Sequence, residues 1–294
     1  MEQKIKSYTI GEWLDIWIKD YATPMLRNST IENYTYARKR LLKYYPDIES
    51  IPLDQLTPLD FQRMLNALSA FCSKSSLAQI KVVYCESYQE GVRNNICFRN
   101  PIREVQIPKR AAKKKVTGMT LQEQKAFLSV LIHFGTMERY VVQIFLLTGM
   151  RRGELIDLEW SDWNQQLAIL RVCKSKTENG IRNIPLLPQV TEILEALKSQ
   201  KASVPYIFHH NGQKLTGGYL RYICEKASKM AQIKHISPYM LRHTFASRLF
   251  EAGADPKSIA EILGHSDPAF TLVTYVTVSE EHLAEQIKKL NLTL

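Results

Sequence analysis

Residues 237–275 constrain the fold more tightly than any other stretch. Ser237 is a strong N-cap type, and Pro238 suits the first helical position, where its missing N–H costs nothing. Met240, Leu241, Phe245, Ala246, Leu249 and Phe250 then recur at helical spacing, and Gly253 stops the run. Asp255 and Pro256 repeat the start signal, Ile259, Ile262 and Leu263 supply a second apolar stripe, and Gly264 closes it. A helical hairpin of this kind is ordinary. Arg242, His243, His265 and Tyr275, set at helix positions and ends within it, are not.

The rest of the chain reads as two domains, which 294 residues are enough to build. Before residue 101 every signal is helical. Trp13, Leu14 and Trp17 share a face. Ser29 to Glu32 reads as a capping box, Thr57-Pro58-Leu59-Asp60 opens another helix, and Ser75-Ser76 opens a further one carrying Leu77, Ile80, Val83 and Tyr84. Residues 105–116 have no apolar period, and Lys109, Arg110, Lys113, Lys114 and Lys115 make them a basic linker. Thr120 and Glu123 form another capping box. Helices follow over 121–131, 138–147, 190–197 and 220–231. Residues 167–172 and 181–186 read as two strands joined by a loop holding Asn179-Gly180. A last amphipathic helix is expected over 279–290. The expected fold is mainly α (α+β): an all-helical domain over 1–107, a linker over 108–116, and a mostly helical domain with a small antiparallel sheet over 117–294.

Composition narrows the partner. The net charge of +10 favours a polyanion, most simply nucleic acid. No apolar run is long enough to span a bilayer, no secretory leader is evident, and five scattered cysteines without paired spacing suit a reducing cytoplasm. The histidines show no metal-ligand spacing.

Four pieces now stand in order: Thr148-Gly149-Met150-Arg151-Arg152-Gly153-Glu154-Leu155, Ser175-Lys176-Thr177 on the hairpin, Tyr239-Met240-Leu241-Arg242-His243, and Leu263-Gly264-His265-Ser266 followed by Tyr275. In this order and spacing they resemble the tyrosine recombinases, the phage-integrase family. The wording is most similar to integrases of conjugative transposons and Gram-positive phages, without their additional arm-binding domain. The resemblance covers nearly the whole chain. It implies a helical SAM-like core-binding domain and a catalytic domain that together clamp double-stranded DNA, with Leu283, Ile287 and Leu290 docking on a neighbour in a homo-tetramer. It also implies a possible directionality factor as accessory partner, no cofactor or metal, and action in the cytoplasm.

The chemistry agrees with these residue types. Attack on a phosphodiester builds charge on the phosphoryl oxygens, which two guanidiniums can hold. Arg151 and Arg242 match those positions. A tyrosine hydroxyl, with an ordinary pKa of about 10, needs a cationic surrounding or a proton acceptor to attack at neutral pH. Tyr275 matches the nucleophile, Lys176 the general acid with Lys174 as rival, and His265 the phosphate-binding histidine. The family's His-x-x-Arg here starts with Tyr239, whose acid–base chemistry differs from imidazole's. Glu154 is expected to orient Arg151, and His243 to support the site from behind. Ser29, Thr30 and Asn33 on one helix, Ser75, Ser76 and Gln79 on another, and the basic linker are the expected DNA contacts beyond the active site. A type IB topoisomerase or a non-catalytic DNA-binding protein of similar fold remains the alternative.

Overall fold

The computed structural model describes residues 7–111, 117–174, 180–200 and 204–265. The chain divides into two compact units, Met1–Lys115 and Val116–Leu294.

In the first unit, α1 (Ile10–Ile16) starts at a capping box in which Thr9 and Glu12 each bond the other's backbone N–H, and it runs on as a π-helical turn over Trp17–Ala22. A short α2 (Thr23–Met25) precedes α3 (Asn28–Leu42), α4 (Pro58–Leu68) and α5 (Lys74–Arg93). Trp13, Trp17, Tyr34, Leu41, Phe61, Leu65, Leu77, Ile80 and Tyr84 share one core. Trp13 also donates its indole N–H to Ser87 O at 2.8 Å, so its polar edge is satisfied inside.

Three expectations need correction here. The cap of α3 is Arg27, not Ser29. Arg27 O accepts from the N–H groups of Thr30 and Ile31, so Ser29 already lies within the helix. The cap of α5 is Ser73, whose hydroxyl accepts from the N–H of Ser76. Ser75 and Ser76 belong to its first turn. The basic segment is not all solvated linker: Val105 and Ala111 are buried in the first unit's core. The Gln62 amide pairs with both the N–H and the carbonyl of Gln106, and Arg110 donates to Ser69 Oγ at 2.9 Å and Asn66 O at 2.8 Å. A segment without periodicity can still be fixed by single apolar anchors and side-chain bonds to its backbone.

The second unit contains α6 (Leu121–Val130), capped by Thr120 and Glu123 as expected, α7 (Thr136–Thr148) and α8 (Arg152–Ile156). A three-stranded antiparallel sheet follows, with β1 (Trp163–Asn164), β2 (Ile169–Val172) and β3 (Arg182–Pro185) side by side in that order. Leu170 lies opposite Ile184 in the ladder. Then come α9 (Pro188–Lys198), a two-residue hairpin β4 (His209–His210) and β5 (Gln213–Lys214), α10 (Gly217–Met230), α11 (Pro238–Glu251) and α12 (Pro256–Leu263). Strands as short as β1, β4 and β5 leave too few residues for an alternation to show in a sequence. The core joins Phe127, Val141, Phe145, Leu155, Leu170, Ile184, Val190, Leu220 and Leu241. Trp163 is buried in it and Trp160 packs against it.

The start and end of α11 and α12 follow the sequence signals. Ser237 Oγ accepts from Met240 N, Asp255 accepts from Lys257 N and Ser258 N, and Gly264 ends α12 at φ 68°. Gly149 ends α7 at φ 61°, and a Cβ there would come within 2.2 Å of the Phe245 ring. Only glycine allows both this left-handed turn and the close crossing of α7 by α11. That crossing brings the Arg151 loop to Arg242.

Candidate active site

Helix α12 ends in carbonyls that its own geometry leaves without N–H partners, at the negative end of its dipole. Three guanidiniums take them, each from a different element. Arg182 of β3 donates to Ile262 O at 2.5 Å. Arg242 of α11 donates to Leu263 O at 2.8 Å. Arg151, from the turn before α8, donates to Gly264 O at 2.5 Å. Arg242 also donates to Gly149 O at 2.9 Å, so the glycine turn and the helix end are joined through one side chain.

Glu154 balances part of this charge. It is 6% exposed. Its Oε1 bonds Arg151 Nη1 at 2.7 Å, and its Oε2 accepts from the Arg151 N–H at 2.8 Å and from Arg182 Nη2 at 3.0 Å. Burial opposes its ionisation, but the bonds and charge of Arg182, together with the Arg151 backbone and side chain, overcome this and hold the carboxyl below its ordinary range. Among the described residues of this cluster, three guanidiniums stand against one carboxylate. The expected pairing of Glu154 with Arg151 is present.

His265 lies against this cluster, its Nε2 2.8 Å from Arg242 Nη2. Arginine only donates, so Nε2 is the acceptor and the ring is neutral with its proton on Nδ1. Burial, then Arg242, Arg151, Arg182 and His243, lower its pKa to about 4. His243 is buried behind Arg242, and burial with that guanidinium's charge lowers it to about 4 as well. Tyr239 lies one turn earlier on α11, 48% exposed, with its ring edge-to-face on His243 at 4.5 Å between centroids. The structure thus brings Arg151, Arg242, His265, Glu154 and His243 together and places Tyr239 beside them. Lys176 and Tyr275 lie outside the described residues, as do Lys113, Lys114 and Lys115. Lys174 is 67% exposed and its ammonium bonds Glu159 at 2.8 Å.

Arg182 was missed in the sequence, although a signal existed. It shares a strand face with Ile184, two residues on, and that face is the core side of β3. An arginine on a buried face demands partners, and here they are those of the site.

The DNA contacts expected in the first unit are spread out. Ser29 and Asn33 are exposed near the start of α3, with Thr30 half-buried between them, and Ser75 and Gln79 are exposed near the start of α5. Ser76 is half-buried and within 3.0 Å of Ser73 Oγ. Lys109 is exposed, whereas the guanidinium of Arg110 is engaged by Ser69 and Asn66. Among the described residues, no group of three or more His, Cys, Asp or Glu side chains could hold a metal ion.

Comparison with known proteins adds independent evidence. Residues 117–282 match the model of the phage integrase family, and residues 9–69 match that of the phage integrase N-terminal SAM-like domain. The chain is 32% identical over 274 residues to the tyrosine recombinase XerA of Pyrococcus furiosus, covering 90% of this chain and 88% of that protein. It is 28% identical over 269 residues to the tyrosine recombinase XerD of Halalkalibacterium halodurans, covering 86% and 88% respectively. In fold it is similar to the Tn1549 transposon integrase solved with a circular intermediate DNA, at a TM-score of 0.73 and 21% identity over 97% of this chain and all of that one. A lambda integrase tetramer bound to a Holliday junction gives a TM-score of 0.73 at 23% identity over 89% of this chain and 79% of that one. The first of these family models alone spans more than half of the sequence, and the chain therefore belongs to the phage integrase family, as a site-specific tyrosine recombinase.

Proposed function

We propose that the surplus positive charge at the end of α12 receives the scissile phosphate of duplex DNA, and that Tyr275 attacks it. The observation that carries this reading is the convergence of Arg151, Arg182 and Arg242 on three successive carbonyls, with Glu154 the carboxylate that pairs two of them among the described residues. Arg151 is the more open of the two proposed phosphate ligands, its side chain 34% exposed, and meets the phosphate first. His265 then leaves the Arg242 Nη2 it now bonds, and both side chains join the phosphate oxygens.

The reaction balances without a cofactor. The Tyr275 oxygen bonds to phosphorus, the P–O5′ bond breaks, and a 3′-phosphotyrosine forms. The tyrosine proton goes to a neutral acceptor, and His265, with its pKa lowered to about 4 in the unliganded site, is neutral there. An arriving phosphate offsets the guanidinium field and raises that pKa, which strengthens the base. Lys176 gives its proton to the leaving O5′. Attack by the 5′-hydroxyl of a second strand reverses each step and restores the tyrosine. Tyr239 supplies a hydroxyl rather than an imidazole near the phosphate, and His243 holds its ring in place.

The protein acts on DNA as four protomers holding two duplexes, integrating or excising a mobile element in the cytoplasm, with a directionality factor biasing the outcome. Support comes from the transposon integrase and from the lambda integrase tetramer to which it is similar in fold. Ser29, Asn33, Ser75 and Gln79, with the basic residues from Lys109 onward, track the backbone. No helix of the described residues is long and apolar enough to cross a membrane. A nicked suicide substrate, which loses the strand needed for religation, tests the reaction. A covalent protein–DNA complex is expected from the wild type and none from Tyr275→Phe. Equal trapping by both would remove Tyr275 as nucleophile.

A further inference from the structure

We infer that Arg182 is a positioning residue of the recombination site, setting the geometry of Arg151 and His265 without itself touching the phosphate. The inference rests on the active-site reading above and extends it to a residue that no catalytic motif in the chain includes.

The bonding of Arg182 is the first ground. Its side chain is 8% exposed, against 34% for Arg151. Three of its nitrogens are engaged on three separate elements: Nε with Ile262 O at the end of α12, Nη1 with Gly180 O at the base of β3, and Nη2 with Glu154 on α8 at 3.0 Å. A guanidinium tied in this way has little freedom to turn toward a substrate. Its planar fork can instead hold three elements in one register, which a lysine's single ammonium cannot.

The second ground is what each of those elements carries. Glu154 is the partner of both the N–H and the side chain of Arg151. Ile262 precedes by three residues His265, whose own N–H bonds Ala260 O, so the last turn of α12 fixes where His265 starts. Strand β3 is one arm of the hairpin whose loop includes Lys176. Removing the guanidinium would take one bonded cation from Glu154 and the β3 donor from Ile262 O. Both changes shift groups that must be held within a fraction of an ångström for in-line attack.

The third ground separates this role from general stability. The residues that hold α11 and the start of the second unit together, Thr244 with Met119 at 2.8 Å and Arg248 with Met119 O at 2.7 Å, form no bond to this cluster. Among the described residues, Arg182 bonds only to groups of the cluster and its own hairpin.

The test uses the full-length protein and a suicide DNA substrate under single-turnover conditions, reading the rate constant and the final amplitude of covalent complex separately. Arg182→Met is expected to slow the rate constant about 100-fold, the scale set by a displacement of about 1 Å in a catalytic group. DNA affinity, measured on uncleaved duplex, should change less than about threefold by the same reasoning, since the phosphate ligands remain. A purely structural role would lower the amplitude and leave the rate constant of the active fraction unchanged, which would overturn the inference. Arg182→Lys keeps the charge and should recover only part of the rate; full recovery would show that charge alone matters and would also overturn it. Should Arg182→Met not fold, the lysine variant carries the test. A final arm places Arg182→Met in a Glu154→Gln background. If Arg182 acts through Glu154, the loss there is much smaller than in the wild type; losses that simply multiply contradict the mechanism. Wild-type protein that traps no covalent complex defeats the active-site reading itself, whereas wild-type trapping matched by Arg182→Met defeats only this inference.

Discussion

Each unit of this protein contains an arginine network, half-buried in the first and largely buried in the second, and the two are built to opposite charge balances. In the first, Arg38 on α3 is held by Glu49 at 2.6 Å and by Asp15, while Glu49 also accepts the Tyr84 hydroxyl at 2.8 Å. Burial and Glu49 push the Tyr84 pKa up, so that hydroxyl remains a donor. One cation there faces two carboxylates, and nothing in the network calls for a further anion. In the second, among the described residues, three guanidiniums face one carboxylate and the end of a helix. Burying charge without full compensation is costly, and such surplus is found where a ligand completes the balance. The ratio of guanidinium to carboxylate separates the two networks: one to two in the first, and three to one among the described residues of the second.

The contrast makes predictions that differ in size. The largest is for Arg242→Gln, which removes a proposed phosphate ligand. Its single-turnover cleavage should fall about 10² to 10³-fold, as when one preorganised charge donor is lost. It also leaves Leu263 O and Gly149 O without their donor, so a loss of about 1–3 kcal/mol in stability should accompany it in denaturant titration. Unchanged cleavage would mean that the surplus charge serves only the fold.

Arg38→Gln should do the reverse. It strands Glu49 and weakens the first unit by roughly 2 kcal/mol, less than for a fully buried pair because the side chain is 21% exposed. The rate constant of cleavage by the folded fraction should stay within about twofold, since a structural network is the only thing disturbed. A large fall in that rate constant would erase the distinction between the networks.

The effect of pH is smaller and separates them differently. His265 and His243 have folded pKa values of about 4, below the ordinary value of about 6.5. Between those pH values the unfolded chain binds more protons, so stability rises with pH there and falls as pH drops from about 6.5 toward 4. Thermal melts across this window should show the second unit losing stability with acidification. Replacing His243 by phenylalanine should flatten part of that slope. A melt independent of pH in this range would show that the histidines are not held neutral.

Lys174→Ala should have the smallest effect. Its ammonium is exposed and only bridges Glu159, so both melting and cleavage should be nearly unchanged. Loss of cleavage would transfer the role of general acid from Lys176 to Lys174.

Much of the fold was legible because its signals are local. Thr57 with Asp60, Thr120 with Glu123, Ser237 with Pro238, and Gly264 each decide a helix end within three or four residues. The helix starts that failed offered several equivalent caps. In Ser73-Lys74-Ser75-Ser76 any serine could serve, and the one used is that which turns Leu77, Ile80, Val83 and Tyr84 inward. At Ser29 the pattern was present but the chain turned two residues earlier, at Arg27. Arg151, Arg242 and His265 could be named as a site from their order, but not their common footing on the carbonyls of α12. Those contacts join residues as far apart as 151 and 264 through backbone atoms, which carry no sequence signature. Arg182 was lost for the same reason: its partners are mainly carbonyls, and only its place on a core-facing strand position marked it.

The central claim is that this charge surplus holds a DNA phosphate while Tyr275 attacks it. The most direct measurement is to digest the covalent complex formed with a suicide substrate and find the modified peptide by mass spectrometry. The nucleotide should be attached through a 3′-phosphate to Tyr275. An adduct on any other residue, or no adduct from protein that binds the duplex, would contradict the account.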